Sequence, residues 1–286
     1  MRTGSEPVPA NELTPRQRAL LDDWLGAWTV VADHTWPLQD TTVVHVRSAQ
    51  REHVVKASTT SHHIAREIAA HLDVLDVIDG LPAPRLEFAD AEAGILVTGY
   101  LPGRLLLGTS AQRDPDAFEQ AGTILRLLQV PGSVSGEYSE RVAAQTAGLI
   151  ADAEGLVDAA ALGSLSSLVD AVPRHPVRLH FTHGDYQPRN WLVHDGRVSV
   201  IDFGRGAQRS WVSDLVRLRG KDFAEHPHLE AAFLRGLGRE LDDDDRDVLQ
   251  LETLREAMGT VVWAHSIGDD DFEEHGRRMI RRLLGE

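Results

Sequence analysis

Three oxygen-bearing side chains stand at a spacing that suits the handling of phosphate. His183-Gly-Asp185-Tyr-Gln-Pro-Arg-Asn190 is followed, after eleven residues, by Asp202-Phe203-Gly204. Phosphoryl transfer asks little covalent chemistry of a protein. It needs one carboxylate beside the attacking hydroxyl and hard oxygen ligands for a Mg2+ that bridges the phosphates. Asp185 suits the first task, Asn190 and Asp202 the second. The apolar runs Trp191-Leu-Val and Val198-Ser-Val-Ile flank them, so the acids are expected on a rigid hairpin rather than a loose loop. Taken singly, Asp and Asn are also common turn formers; the spaced combination is what singles out this chemistry.

The elements that must position these residues follow from periodicity. Thr14-Pro15 reads as a helix N-cap followed by proline at the first helical position, and Leu20, Leu21, Trp24, Leu25 and Trp28 continue at helical spacing. From Trp28 to Ala57 the chain is β-branched and aromatic in short alternations, which predicts three antiparallel strands. Ser61 to Val77 returns to helical spacing through Ile64, Ile68, Leu72 and Leu75. After the Gly80-Leu81-Pro82 turn come two strand-like runs, RLEFAD and GILVTGYL, and then a break at Pro102-Gly103. Residues 114–170 and 207–286 read as mostly helical, with the strand-turn-strand island of the first paragraph between them. A strand-rich first third followed by a helical remainder predicts an α+β fold in two lobes rather than alternating βαβ units. The expected division is residues 1–101, whose first 27 are a loose lead-in and a helix, and residues 102–286.

The pattern HGDxxxxN followed by IDFG resembles the catalytic and metal loops of the aminoglycoside phosphotransferase family, small-molecule relatives of the protein kinases. The likeness extends over about residues 28–220 and continues in Asp214 of WVSDLVRL, where the family carries an Asp. It implies a bilobal protein-kinase-like fold, with a β-rich lobe for the nucleotide, a helical lobe for catalysis and the acceptor, and ATP with Mg2+ between them. Asp185 becomes the base that orients the acceptor hydroxyl, and Asn190 and Asp202 the metal ligands. Lys56, in the strand REHVVKAS, matches the family lysine on the α- and β-phosphates, and Glu67, in SHHIAREIAAHL, its paired glutamate. The segment ILVTGYLPG matches the strand and linker that read adenine, with Thr98 at the back of the pocket and Gly99 and Leu101 as backbone partners. His183 and Asp214 are expected to support the loop rather than react. The phosphate-covering turn falls at Leu38 to Thr42, where QDTT has no glycine and departs from GxGxxG; Thr41 or Thr42 would donate to phosphate, or serve as ordinary strand residues. Glycine rather than arginine before Asp185, and no APE-like segment after Asp202-Phe203-Gly204, point away from protein substrates.

Composition narrows the partners. A formal net charge of −15 argues against a phosphate-backbone binder such as a DNA-binding protein and suits a cationic acceptor, because clefts of one sign concentrate the other; the same charge also serves plain solubility. Only Lys56 and Lys221 are lysines among 29 basic residues, so a strand lysine suggests a need for a compact ammonium. The absence of cysteine excludes disulfides and thiolate metal sites. No signal peptide and no span of about 18 apolar residues is read, and the cytoplasm, where ATP is, is the expected compartment. No obligate protein partner is inferred. Two acid runs can receive a cation: Asp242 to Asp247, read as a helix start, and Asp269, Asp270, Asp271, Glu273 and Glu274, either acceptor ligands or another helix start. The favoured acceptor is an aminoglycoside or basic peptide antibiotic, with choline-like, amino-acid or sugar acceptors as alternatives. A nucleotide-binding regulatory pseudokinase and a phosphohydrolase with metal on His183, Asp185 and Asp202 are the rival classes.

Overall fold

The computed structural model describes residues 13–36, 41–49, 51–60 and 62–285, so the lead-in and the Leu38–Asp40 part of the expected phosphate-covering turn lie outside the described residues. The chain divides into two compact units: the described residues up to Gln112 together with Pro188–Ala207, and Arg113–Gln187 together with Gln208 onward.

The first unit opens with helix α1 (Pro15–Leu25), started by a capping box in which Thr14 and Gln17 satisfy each other's backbone N–H groups. Strands β1 (Trp28–Asp33), β2 (Thr42–Ser48) and β3 (Arg51–Ala57) form an antiparallel meander. Helix α2 (His62–Asp73) crosses to β4 (Leu86–Asp90), which turns back into β5 (Ile95–Gly99). Because β5 inserts beside β3, the sheet order is β1-β2-β3-β5-β4. Strand alternation then sorts the core: Val44, Val46, Val55, Ala57, Ile95 and Val97 face α1 and pack with Leu21 and Trp24. On the other face Leu96 meets Ile64 and Ile68 of α2. Each such fully buried Leu, Ile or Val contributes roughly 1.5–3 kcal/mol. The helical spacing read through Val77 breaks earlier: α2 ends at Asp73, Val74 leaves the helical backbone, and Leu75–Val77 is a separate 3-10 turn. Val74 and Leu75 are buried all the same, while Leu72 faces water. A two-residue strand β6 (Arg104–Leu105) also belongs to this unit.

The second unit is mainly helical. Its first stretch carries α3 (Pro115–Leu128), β7 (Pro131–Ser135), α4 (Tyr138–Asp152), α5 (Ala159–Ala171) and β8 (Val177–Thr182). The chain then returns to the first unit for β9 (Trp191–His194) and β10 (Arg197–Val200), an antiparallel hairpin with β6 on its other edge. Strand β11 (Ala207–Ser210) leads back to α6 (Val216–Gly220), α7 (Asp222–Glu225), α8 (Pro227–Leu237), α9 (Asp243–Ile267) and α10 (Asp270–Leu284). Strands β11, β8 and β7 form a small sheet in that order. Neither β7 nor β11 was expected within the helical stretches; PGSVS lacks strand alternation and becomes a strand only through its pairing with β8. Helices α3 and α8 cross at backbone distance, since a Cβ on Gly122 would lie 2.1 Å from the Phe233 carbonyl oxygen and one on Gly236 would lie 1.9 Å from that of Glu119. Among the described residues no helix is long and apolar enough to cross a membrane.

Candidate active site

In the first unit, β3 and α2 bring a cation to two acids. Lys56 Nζ lies 2.8 Å from both carboxylate oxygens of Glu67 and 3.0 Å from Asp202 Oδ1. Burial alone would lower the Lys56 ammonium, but Asp202 and Glu67 outweigh it and hold the group above its usual value. Glu67 is buried because it shares the inward face of α2 with Ile64, Ile68 and His71. Asp202 sits at φ +70°, a left-handed backbone that costs a non-glycine residue about 1 kcal/mol or more and marks an over-determined position. The loop beyond it is tied to α2, where His63 Nδ1 donates to the Gly204 carbonyl at 2.8 Å. A Cβ on Gly204 would come within 3.1 Å of His63 Cβ, so any side chain there would press on His63. Phe203 is buried and meets the edge of His71, whose ring nitrogens are both buried without a hydrogen-bond partner.

Asn190 is buried in the same unit, and its carbonyl receives Ile201 N at 2.9 Å. Asn190 and Asp202 offer hard oxygen donors, and the Asp202 carboxylate is half exposed. That donor chemistry fits Mg2+, which keeps waters and substrate oxygens and needs only one or two protein ligands. Thr42 opens β2 opposite Ala57, and Thr41 precedes it half-buried. Thr98 is buried on β5 opposite Val54. Gly99 N already donates to the Arg85 carbonyl at 3.0 Å, so Gly99 can address a base only through its own carbonyl. Leu101 lies two residues past the end of β5.

In the second unit, β8 delivers His183, Gly184 and Asp185. Asp214, on a 3-10 turn spanning Trp211–Leu215, accepts His183 N at 2.8 Å and Gly184 N at 2.7 Å. Burial pushes the Asp214 carboxyl up, against the pull of His183 and the two N–H donors. Gly184 takes φ +77°, which a β-carbon would resist. His183 is fully buried, and its Nδ1 accepts Asp185 N at 3.2 Å. The Nδ1 of the ring is thus engaged inside the loop. Tyr186 anchors the next turn by donating to the Ala121 carbonyl at 2.6 Å.

Sequence reasoning missed the partners of Asp185. Arg217 Nη1 and Gln187 Nε2 both donate to its Oδ1, and Arg217 Nε donates to Glu256 Oε1 on α9 at 2.7 Å. Burial would lower the Arg217 guanidinium, but Glu256 and Asp185 together raise it. The one hint in the sequence was the place of Arg217, three residues after Asp214.

The late acid run is a helix start. Asp269 caps α10 by accepting Phe272 N at 3.0 Å. Glu273 bonds Arg277 and His265, and Glu274 bonds Arg281 at 2.6 Å. Asp270 and Asp271 lie in the exposed first turn. The earlier run also starts a helix: Asp242 and Asp245 form a capping box on α9, and Asp245 Oδ1 accepts Trp211 Nε1 at 2.7 Å.

Comparison with known proteins completes the description. No curated protein matches the sequence. Among solved structures, the GDP and kanamycin complex of APH(2")-IIIa superposes with a TM-score of 0.68 at 13% identity, covering 94% of this chain and 98% of that one. A thermostable mutant of aminoglycoside phosphotransferase APH(4)-Ia, in ternary complex with ADP and hygromycin B, gives 0.66 at 13% identity over 95% and 98%. A putative aminoglycoside phosphotransferase from Ralstonia eutropha gives 0.65 at 16% identity over 92% and 94%. These likenesses show the fold, a protein-kinase-like one with N-terminal strands and a helical C-terminal part. The family model for the phosphotransferase enzyme family matches residues 37–251, and the chain therefore belongs to that family.

Proposed function

We propose that the chain transfers the γ-phosphoryl group of ATP to a hydroxyl of a small, cationic molecule, with Asp185 as the base. The observation that carries this reading is the fixing of Asp185: its loop hangs on Asp214 by two backbone N–H groups, and its carboxylate is held by Arg217. A carboxylate so held meets the requirement of acceptor positioning, which supplies most of what a protein contributes to this reaction. The acceptor oxygen attacks the γ-phosphorus and forms an O–P bond. The bond from phosphorus to the β,γ-bridging oxygen breaks, ADP leaves, and the hydroxyl proton passes to Asp185. Lys56, held by Glu67, presents its ammonium to the α- and β-phosphates. Asn190 and Asp202 hold Mg2+, which when bound neutralises charge on the phosphates. Thr41, Thr42, Thr98, Gly99 and Leu101 line the nucleotide side. In this reading residues 1–101 serve the nucleotide and residues 102–286 catalysis and the acceptor.

The acceptor class is argued from the net charge of −15 and from the aminoglycosides in the neighbours' complexes. Antibiotic inactivation in the cytoplasm follows, with a choline-like, amino-acid or sugar acceptor as the alternative. Within the late cluster, Asp270 and Asp271 are the better acceptor ligands, because Glu273 and Glu274 are already matched by arginines. The test is a coupled ADP-release screen over kanamycin, hygromycin B, basic peptide antibiotics and small amino alcohols. One acceptor should give saturable release that Asp185→Ala lowers by about 10²–10⁴-fold, with nucleotide affinity kept within a few-fold. Retention of more than about a tenth of the rate would remove Asp185 as base.

A further inference from the structure

We infer that Arg217 is the positioning residue for Asp185, and that Glu256 keeps Arg217 charge-compensated while Asp185 takes up a proton; the inference rests on the reading of Asp185 as base. Three observations carry it. Arg217 divides its donors between two carboxylates, Nη1 to Asp185 and Nε to Glu256. The Asp185 carboxylate is buried, so its orientation depends on such bonds rather than on water. The three side chains come from separate elements of one unit: the loop after β8, helix α6 and helix α9.

A base that gains a proton loses its charge, and a partly buried guanidinium paired with it alone would then stand uncompensated, at a cost that grows with its burial. Glu256 removes that cost, because Arg217 remains paired through Nε in either state of Asp185. The planar fork suits this division between two acids in a way a point ammonium does not. Arg217 itself need not touch the acceptor or the phosphates for this role.

The experiment measures ATP hydrolysis, with water as the acceptor, in the full chain and in Arg217→Met, Arg217→Lys, Glu256→Gln and Asp185→Asn. Arg217→Met should lower kcat by about 10–100-fold, the size seen when a supporting partner of a reactive group is lost, with KM for ATP unchanged. Arg217→Lys should recover part of that loss, and Glu256→Gln should lose less than Arg217→Met. Unaltered kcat in Arg217→Met, or equal losses in kcat and ATP affinity, would overturn the assignment. A second arm measures urea midpoints for Arg217→Met, Asp185→Asn and the double variant. The double variant should be more stable than the sum of the single losses, because it removes both charges of the pair; additivity would also overturn the inference. Failure of the underlying reading looks different. Hydrolysis unaffected by Asp185→Asn would discard Asp185 as base, whatever Arg217→Met does.

Discussion

Each unit's share of the candidate site places a cation between two acids, and the two arrangements run in opposite senses. In the first unit Lys56 sits between Glu67, whose side chain is 3% exposed, and Asp202, at 50%. In the second Arg217 sits between Asp185, at 5%, and Glu256, at 21%. Near the lysine the inner acid is an anchor and the outer one is the candidate metal ligand. Near the arginine the inner acid is the candidate base and the outer one the anchor. The choice of cation follows. An ammonium is a compact charge that can turn from a half-exposed carboxylate toward a phosphate, whereas a guanidinium fork fixes the direction of a buried one. Burial alone thus does not decide which acid of each pair meets a ligand and which one holds the cation in place, since the buried acid is the anchor beside Lys56 and the candidate base beside Arg217.

The largest way to break this comparison is Lys56→Met. It leaves Glu67 buried without its cation, and breaking such a pair costs about 3–5 kcal/mol. Urea unfolding should show that loss, and Lys56→Met combined with Glu67→Gln should regain most of it. A single-variant loss below about 1 kcal/mol would mean that the pair behaves as an exposed one. Next in size is Asp214→Ala, which orphans the buried donor on His183 at about 1–3 kcal/mol and the partly buried one on Gly184 at less. Its turnover should fall together with its stability, because the same loop carries Asp185.

A smaller effect concerns pH. Burial lowers the His71 imidazole from its ordinary 6.5, against the opposing pull of Glu67 and Asp76. The unfolded chain therefore binds more protons between the lowered value and 6.5, so stability is full above that window and is lost as pH falls through it. Urea midpoints at pH 7.5 and pH 5 should differ less in His71→Phe than in the parent. Some slope should remain, since burial also lowers His180 and His275. An identical pH response in both proteins would show that His71 does not carry this dependence. Smallest of all, Asp270→Asn with Asp271→Asn should change stability by no more than about 0.5 kcal/mol. If these acids meet a cationic acceptor, its KM should rise with kcat kept; an unchanged KM would remove them from the acceptor site.

Sequence by itself determined the locally encoded features. Alternation in TTVVHVRS and REHVVKAS set the strands and the face on which Lys56 emerges, helical spacing put Glu67 beside Ile64 and Ile68, and Thr14-Pro15 capped α1. The spacing of Asp185, Asn190 and Asp202 was equally legible, because a loop between short strands encodes its length directly. Tertiary structure alone decided the rest. PGSVS became a strand only beside β8, and the helical spacing read through Val77 gave way at Val74 to a separate 3-10 turn. Arg217 found Asp185 and Glu256 at separations of 32 and 39 residues. No periodicity encodes such a meeting, since which of many arginines reaches a buried carboxylate depends on how helices pack.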